Sequence, residues 1–112
     1  MASVNKITLS SGAISGDTYT TAVSLEGLQV DFAGLLKVSA IGAGTSLVVK
    51  IQTSPDNSTW IDWITFTAAT ATTTEVIRAT TFGMTYARAF FDFTGGTTTC
   101  TATVDLYYDK RR

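Results

Sequence analysis

The sequence predicts an all-β fold, a single-domain antiparallel β-sandwich of about eight strands covering residues 1–112. Three observations predict it. Strand-like segments alternate with glycine-rich or Ser/Asp/Asn-rich breaks at the short, even spacing of all-β domains. No window keeps an amphipathic helical period beyond two turns. Threonine, whose branched Cβ suits a pleated surface, fills about a fifth of all positions.

The elements follow in order. Val4–Leu9 alternates, and a loop is expected around Gly12 and Gly16. Thr18–Leu25 comes next, with Tyr19, Thr21 and Val23 on one face. Leu28–Phe32 is expected to end at Gly34, and Leu35–Ile41 at the Gly42-Ala43-Gly44 loop. A central hairpin joins Ser46–Thr53 to Trp60–Phe66 through Ser54-Pro55-Asp56-Asn57-Ser58-Thr59. Pro55 presets φ in that turn, while Asp56 and Asn57 bond back to their own backbone. Ala68–Thr72 reads as a small-residue connection rather than a helix, because its threonines and lack of charged pairs disfavour one. Glu75–Thr80, Thr85–Phe93, a Gly95-Gly96 turn and Thr98–Tyr108 complete the chain.

The period of two assigns faces. Leu47, Val49 and Ile51 belong to the core, with Val48, Lys50 and Gln52 outward. Ala87, Ala89, Phe91 and Phe93 form one face of a late strand, and Tyr86, Arg88, Phe90 and Asp92 the other. At the central hairpin, Trp60, Ile64 and Phe66 are expected to oppose Ile61 and Trp63. Large apolar side chains thus fall on both faces of two strands. A sandwich strand needs one apolar face, so the second calls for a cover from loops or from a neighbouring subunit.

Composition bounds the function. The 112 residues suit one domain, and a hydrophobic fraction of 45% fills one core without a disulfide or metal staple. Only 15% of residues are charged, against roughly 25% in average domains. Such a surface resists self-association weakly. A net charge of −1 makes no case for nucleic acid as a partner. Three of the eight basic residues, Lys110, Arg111 and Arg112, close the sequence and read as a solvated end. The start of the sequence has no apolar run suited to a signal peptide, and no stretch approaches a membrane span, so a protein first used in a cytoplasm is expected. The single cysteine, Cys100, excludes an internal disulfide and reads as a small core residue.

Chemistry is scarce. Histidine is absent, which removes the commonest general base and every Ser-His or Cys-His nucleophile arrangement. The nine acids are scattered singly, and Asp105 and Asp109 read as solvated strand or tail residues. No glycine loop opens a helix that would cradle phosphate. One carboxylate, Asp56, is too few to prefer calcium over an ordinary turn, and Asn57-Ser58-Thr59 matches a glycosylation sequon by coincidence. An enzyme is therefore not expected, nor a cofactor. The weak site candidates are Asp56, Asn57, Trp60 and Trp63, whose tryptophans suit a partner contact or a sugar ring; at least one of the two is expected in the core.

The block Val48-Val49-Lys50-Ile51-Gln52-Thr53-Ser54-Pro55-Asp56-Asn57-Ser58-Thr59-Trp60 resembles a hairpin of small β-sandwich structural proteins of tailed-bacteriophage virions. Tyr86 to Gly96 and Ala102 to Tyr108 fit the same pattern in the same order, so the resemblance covers about half the chain. It implies a jelly-roll-like auxiliary protein that decorates or cements a capsid. Such a protein is non-enzymatic, homo-oligomeric and bound to the major capsid protein, in a virion assembled in the host cytoplasm. The Asp56–Trp60 turn and the later aromatic-Ala-Arg strand are also similar to discoidin-type carbohydrate-binding sandwiches. This chain departs from those in length, export and histidine, and matches none of their sugar-binding residues. A phage tail or baseplate component stands between the two.

Overall fold

The computed structural model describes residues 3–25, 31–80 and 83–110. Its strands are β1 (Ser3–Ser15), β2 (Thr18–Tyr19), β3 (Val23–Ser24), β4 (Ala33–Ile41), β5 (Ser46–Ser54), β6 (Ile61–Thr65), β7 (Thr73–Arg78), β8 (Tyr86–Thr94) and β9 (Thr99–Lys110). One sheet has the order β1-β9-β4-β7, the other β2-β8-β5-β6, with β3 also on β8. β2 and β3 hold successive stretches of the same β8 edge, Thr18 opposite Phe91 and Val23 opposite Ala87. Counted as one interrupted strand, they leave eight strands in two sheets of four.

The chain crosses between sheets at every connection except the β5–β6 hairpin, and every pairing is antiparallel. That winding is a jelly roll, two Greek keys folded into facing sheets. Among the described residues there is no helix, and none therefore long and apolar enough to cross a membrane.

The core lies between the sheets. Leu36, Val38, Val104 and Leu106 of the first face Leu47, Val49, Ile51, Ala89 and Phe91 of the second, all essentially without exposure. The expected faces of β5 and β8 hold because the two strands pair without a break, Val49 against Phe91 and Ile51 against Ala89. Full burial of each larger apolar side chain contributes about 1.5–3 kcal/mol. Cys100 is buried among these residues, and burial pushes its thiol pKa up.

Five expectations change. Gly12 does not sit in a loop: it lies inside β1 opposite Ala102, with φ of 116°, and the turn comes at Gly16 and Asp17. Residues 28–30 lie outside the described chain, and Gly34 does not end a strand. It is the second residue of β4, where a Cβ would stand 2.9 Å from Ile51 Cδ1 and from Phe66 Cζ. Its lack of a side chain lets those two residues close the core.

Two of the remaining three are changes of face, and the third is a change of burial. Tyr19 pairs with Phe90 on the outside, but Val23 pairs with Ala87 on the inside, since the break at Thr20–Ala22 shifts the register by one. In β6, Ile64 pairs with Ile51 and Asp62 with Gln52, so Trp63 is the extra residue of a β-bulge. The bulge puts Trp63 with Ile64 and Phe66 on the core side and turns Trp60 outward. Asp105 is not solvated: it is only 5% exposed, and its Oδ1 has no hydrogen-bond partner among the described residues. It stands at the centre of its sheet, opposite Thr8 of β1 and Leu35 of β4.

Candidate binding surface

The β5–β6 turn is organised by one carboxylate. Asp56 Oδ1 accepts from the backbone N–H of Thr59 at 2.7 Å and of Ser58 at 2.9 Å, and from Ser54 Oγ at 3.0 Å. Oδ2 accepts from Thr59 Oγ1 at 3.3 Å. The backbone donors Thr59 and Ser58 hold the Asp56 pKa below the usual carboxylate range. Asn57 occupies the exposed tip with φ of 61°, a left-handed conformation that asparagine tolerates. Asp56 and Asn57 thus build the turn that delivers Trp60.

The two tryptophans part company. Trp63 packs edge-on against Phe32, ring centroids 5.1 Å apart, and covers Gly83, where a Cβ would meet the indole at 2.7 Å. Trp60 lies on the outer face of the second sheet, with the Arg88 guanidinium over its ring at 4.2 Å from the centroid. The same guanidinium lies 4.0 Å from the centroid of Tyr19, and Tyr19 stacks on Phe90 at 4.4 Å. Phe90, Tyr19, Arg88 and Trp60 form one continuous row across β8, β2 and the residue that precedes β6.

A polar row holds the arginine in place. Arg88 Nε donates to Gln52 Oε1 at 2.9 Å, and Gln52 Nε2 donates to Asp62 Oδ1 at 3.0 Å. Lys50 Nζ donates to the other oxygen, Oδ2, at 3.0 Å. The Gln52 and Lys50 hydrogen bonds lower the Asp62 pKa, with the Lys50 charge adding to them. Every side chain in this row projects from the outward register positions of β5, β6 and β8.

No protein-family model, curated protein or solved structure matches the chain. The surface itself carries the functional argument. Its residue types, Trp, Tyr and Arg, are those enriched where partners bind most strongly. They present flat apolar faces and a fork of N–H donors on a rigid sheet. Tyr19 is 54% exposed although it is stacked. No nucleophile is paired with a base here, and among the described residues no group of three or more His, Cys, Asp or Glu is placed to hold a metal ion.

Of the four candidate residues, Trp60 joins this surface, Asp56 and Asn57 stand beside it, and Trp63 does not reach it. Tyr19, Gln52, Asp62, Arg88 and Phe90 are the residues the candidate set missed. The outward aromatics of β8 were a legible signal, since Phe90 and Arg88 alternate with core positions. Tyr19 had none: its ring reaches Arg88 because β2 pairs with a strand about seventy residues later.

Proposed function

We propose that this protein is a non-enzymatic virion structural protein, a capsid decoration or cement protein that binds the major capsid protein. The observation that carries the reading is the row Phe90–Tyr19–Arg88–Trp60 on the outer face of the second sheet. The resemblance of the β5–β6 hairpin and of β8 and β9 to virion sandwiches supplies the setting. The row gives a preordered patch whose arginine has already lost part of its side-chain freedom, so docking costs less ordering entropy. The Lys50–Asp62 pair leaves little unbalanced charge to desolvate beside it. Many copies on a symmetric shell then add modest individual affinities through multivalency.

The test is co-sedimentation with shells of the source phage that lack this component. Saturable binding at a fixed ratio to the shell protein, lowered at least tenfold in Arg88→Glu, is the expected result. Absence of binding by the folded wild-type protein overturns it.

A second reading rests on the same geometry. Tyr19 and Trp60 flank Arg88 beside Gln52 and Asp62, the mixture of flat rings and polar hands that suits a sugar. A glycan-binding module of this kind, or a tail or baseplate component, predicts binding on a broad glycan array that is lost in Trp60→Ala.

A further inference from the structure

Four strands close the two sheets: β1 and β7 in the first, β2/β3 and β6 in the second. Natural sheets blunt such edges by shortness, charge, bulges or proline, because a bare edge is a template for another strand. β7 has 6 residues, β6 has 5 with a bulge and Asp62, and β2/β3 is interrupted. β1 has 13. From Ile7 to Ser15 it carries neither charge nor proline. A bulge at Leu9 breaks it once, and Ser10–Ser15 then runs in unbroken register against β9.

The direction of its backbone groups can be followed. Gly16 N–H donates to Thr98 O at 2.8 Å. Bonded pairs alternate along an antiparallel ladder, so Ser10, Gly12 and Ile14 face β9 while Ser11, Ala13 and Ser15 turn N–H and C=O to the open edge. Thr99 agrees: its carbonyl accepts from Gly42 N–H on the opposite side, at 2.8 Å, and not from Ser15. The side chains of Ser11, Ala13 and Ser15 are small and exposed, and screen nothing.

We propose that this edge pairs antiparallel with the same edge of a second copy, joining two first sheets into one eight-stranded sheet across a two-fold axis. An antiparallel edge is complementary to itself under two-fold symmetry, which singles out a second copy as the occupant. Centring the pair on Ala13 sets Ser11 against the other copy's Ser15 and yields about six hydrogen bonds. Lys6 then lies beyond the paired segment, so no like charges face each other. The inference goes beyond the proposed function and is independent of the capsid contact, which uses the opposite sheet.

Sedimentation equilibrium on the full chain, from about 1 to about 300 µM, tests it over the range of a small interface. A reversible dimer is expected, and Ala13→Pro is expected to be monomeric. Proline there deletes an outward N–H and no bond to β9, so circular dichroism and melting should match wild type. Ser11→Lys, which leaves the backbone intact, is the second probe and should give the same loss. A wild-type chain that stays monomeric throughout, or a dimer that survives both substitutions, overturns the pairing. So does a monomer whose capsid binding is lost in Ala13→Pro, which would assign the edge to a capsid strand. Capsid binding that persists in a chain shown to be monomeric removes this inference and leaves decoration standing.

Discussion

The guanidinium of Arg88 lies 4.2 Å from the ring centroid of Trp60, spanning β5 on the outer face of the second sheet. Arg88 comes from the first half of β8 and Trp60 from the end of a turn, with Gln52 between them accepting the Nε–H. A planar cation on an aromatic face contributes about 0.5–1 kcal/mol at a partly exposed site.

Arg88→Lys should therefore be a damaging conservative change. Lysine keeps the charge but loses the flat stack and the directed Nε–H. The unfolding free energy in denaturant should fall by about 1 kcal/mol, and tryptophan emission should change as Trp60 loses its cover. Unaltered emission and stability would show that the stack is not populated in solution.

Ile51 and Lys50 are adjacent and face opposite ways. Ile51→Asp buries a carboxylate with no partner and should unfold the domain at room temperature, since stability is only about 5–15 kcal/mol and the loss of a core isoleucine adds to the burial cost. Lys50→Asp breaks a partly exposed ion pair and sets two carboxylates together, at a cost of about 1 kcal/mol or less. Thermal melts of the two variants give the comparison, and equal tolerance would refute the face assignment.

Asp105 offers a stabilising change. Its Oδ1 is buried without a donor among the described residues, and such an atom costs about 1–3 kcal/mol. Asp105→Val keeps a strand-forming side chain and removes the orphan. A rise in melting temperature is expected; a fall would mean that the carboxyl is satisfied in solution.

The acid limb of stability should depend on Asp56. Its folded pKa is depressed, so the stability it contributes is present above the ordinary aspartate value, about 4, and is lost as pH falls through the lower folded value. Asp62 acts in the same direction. Melting temperature measured from neutral pH downward should decline more steeply in wild type than in Asp56→Ala. Parallel curves would contradict this.

The strands were legible in the sequence wherever the apolar period of two ran unbroken. Leu47, Val49 and Ile51, and Ala87, Ala89, Phe91 and Phe93, face the core as their alternation requires, because a strand buried on one side has no other choice. The Gly42–Gly44 and Gly95–Gly96 turns and the Asp56 turn were equally readable, since those residues carry their own backbone preferences. Tertiary pairing alone decided the rest. A bulge moved Trp63 inward and Trp60 outward, a one-residue slip separated Tyr19 from Val23, and the long reach of β9 drew Gly12 into β1 and buried Asp105. Each is a question of register between strands distant in sequence. Local residue preferences determine which segments form strands; which residues meet across a sheet is set by the packing of the whole core.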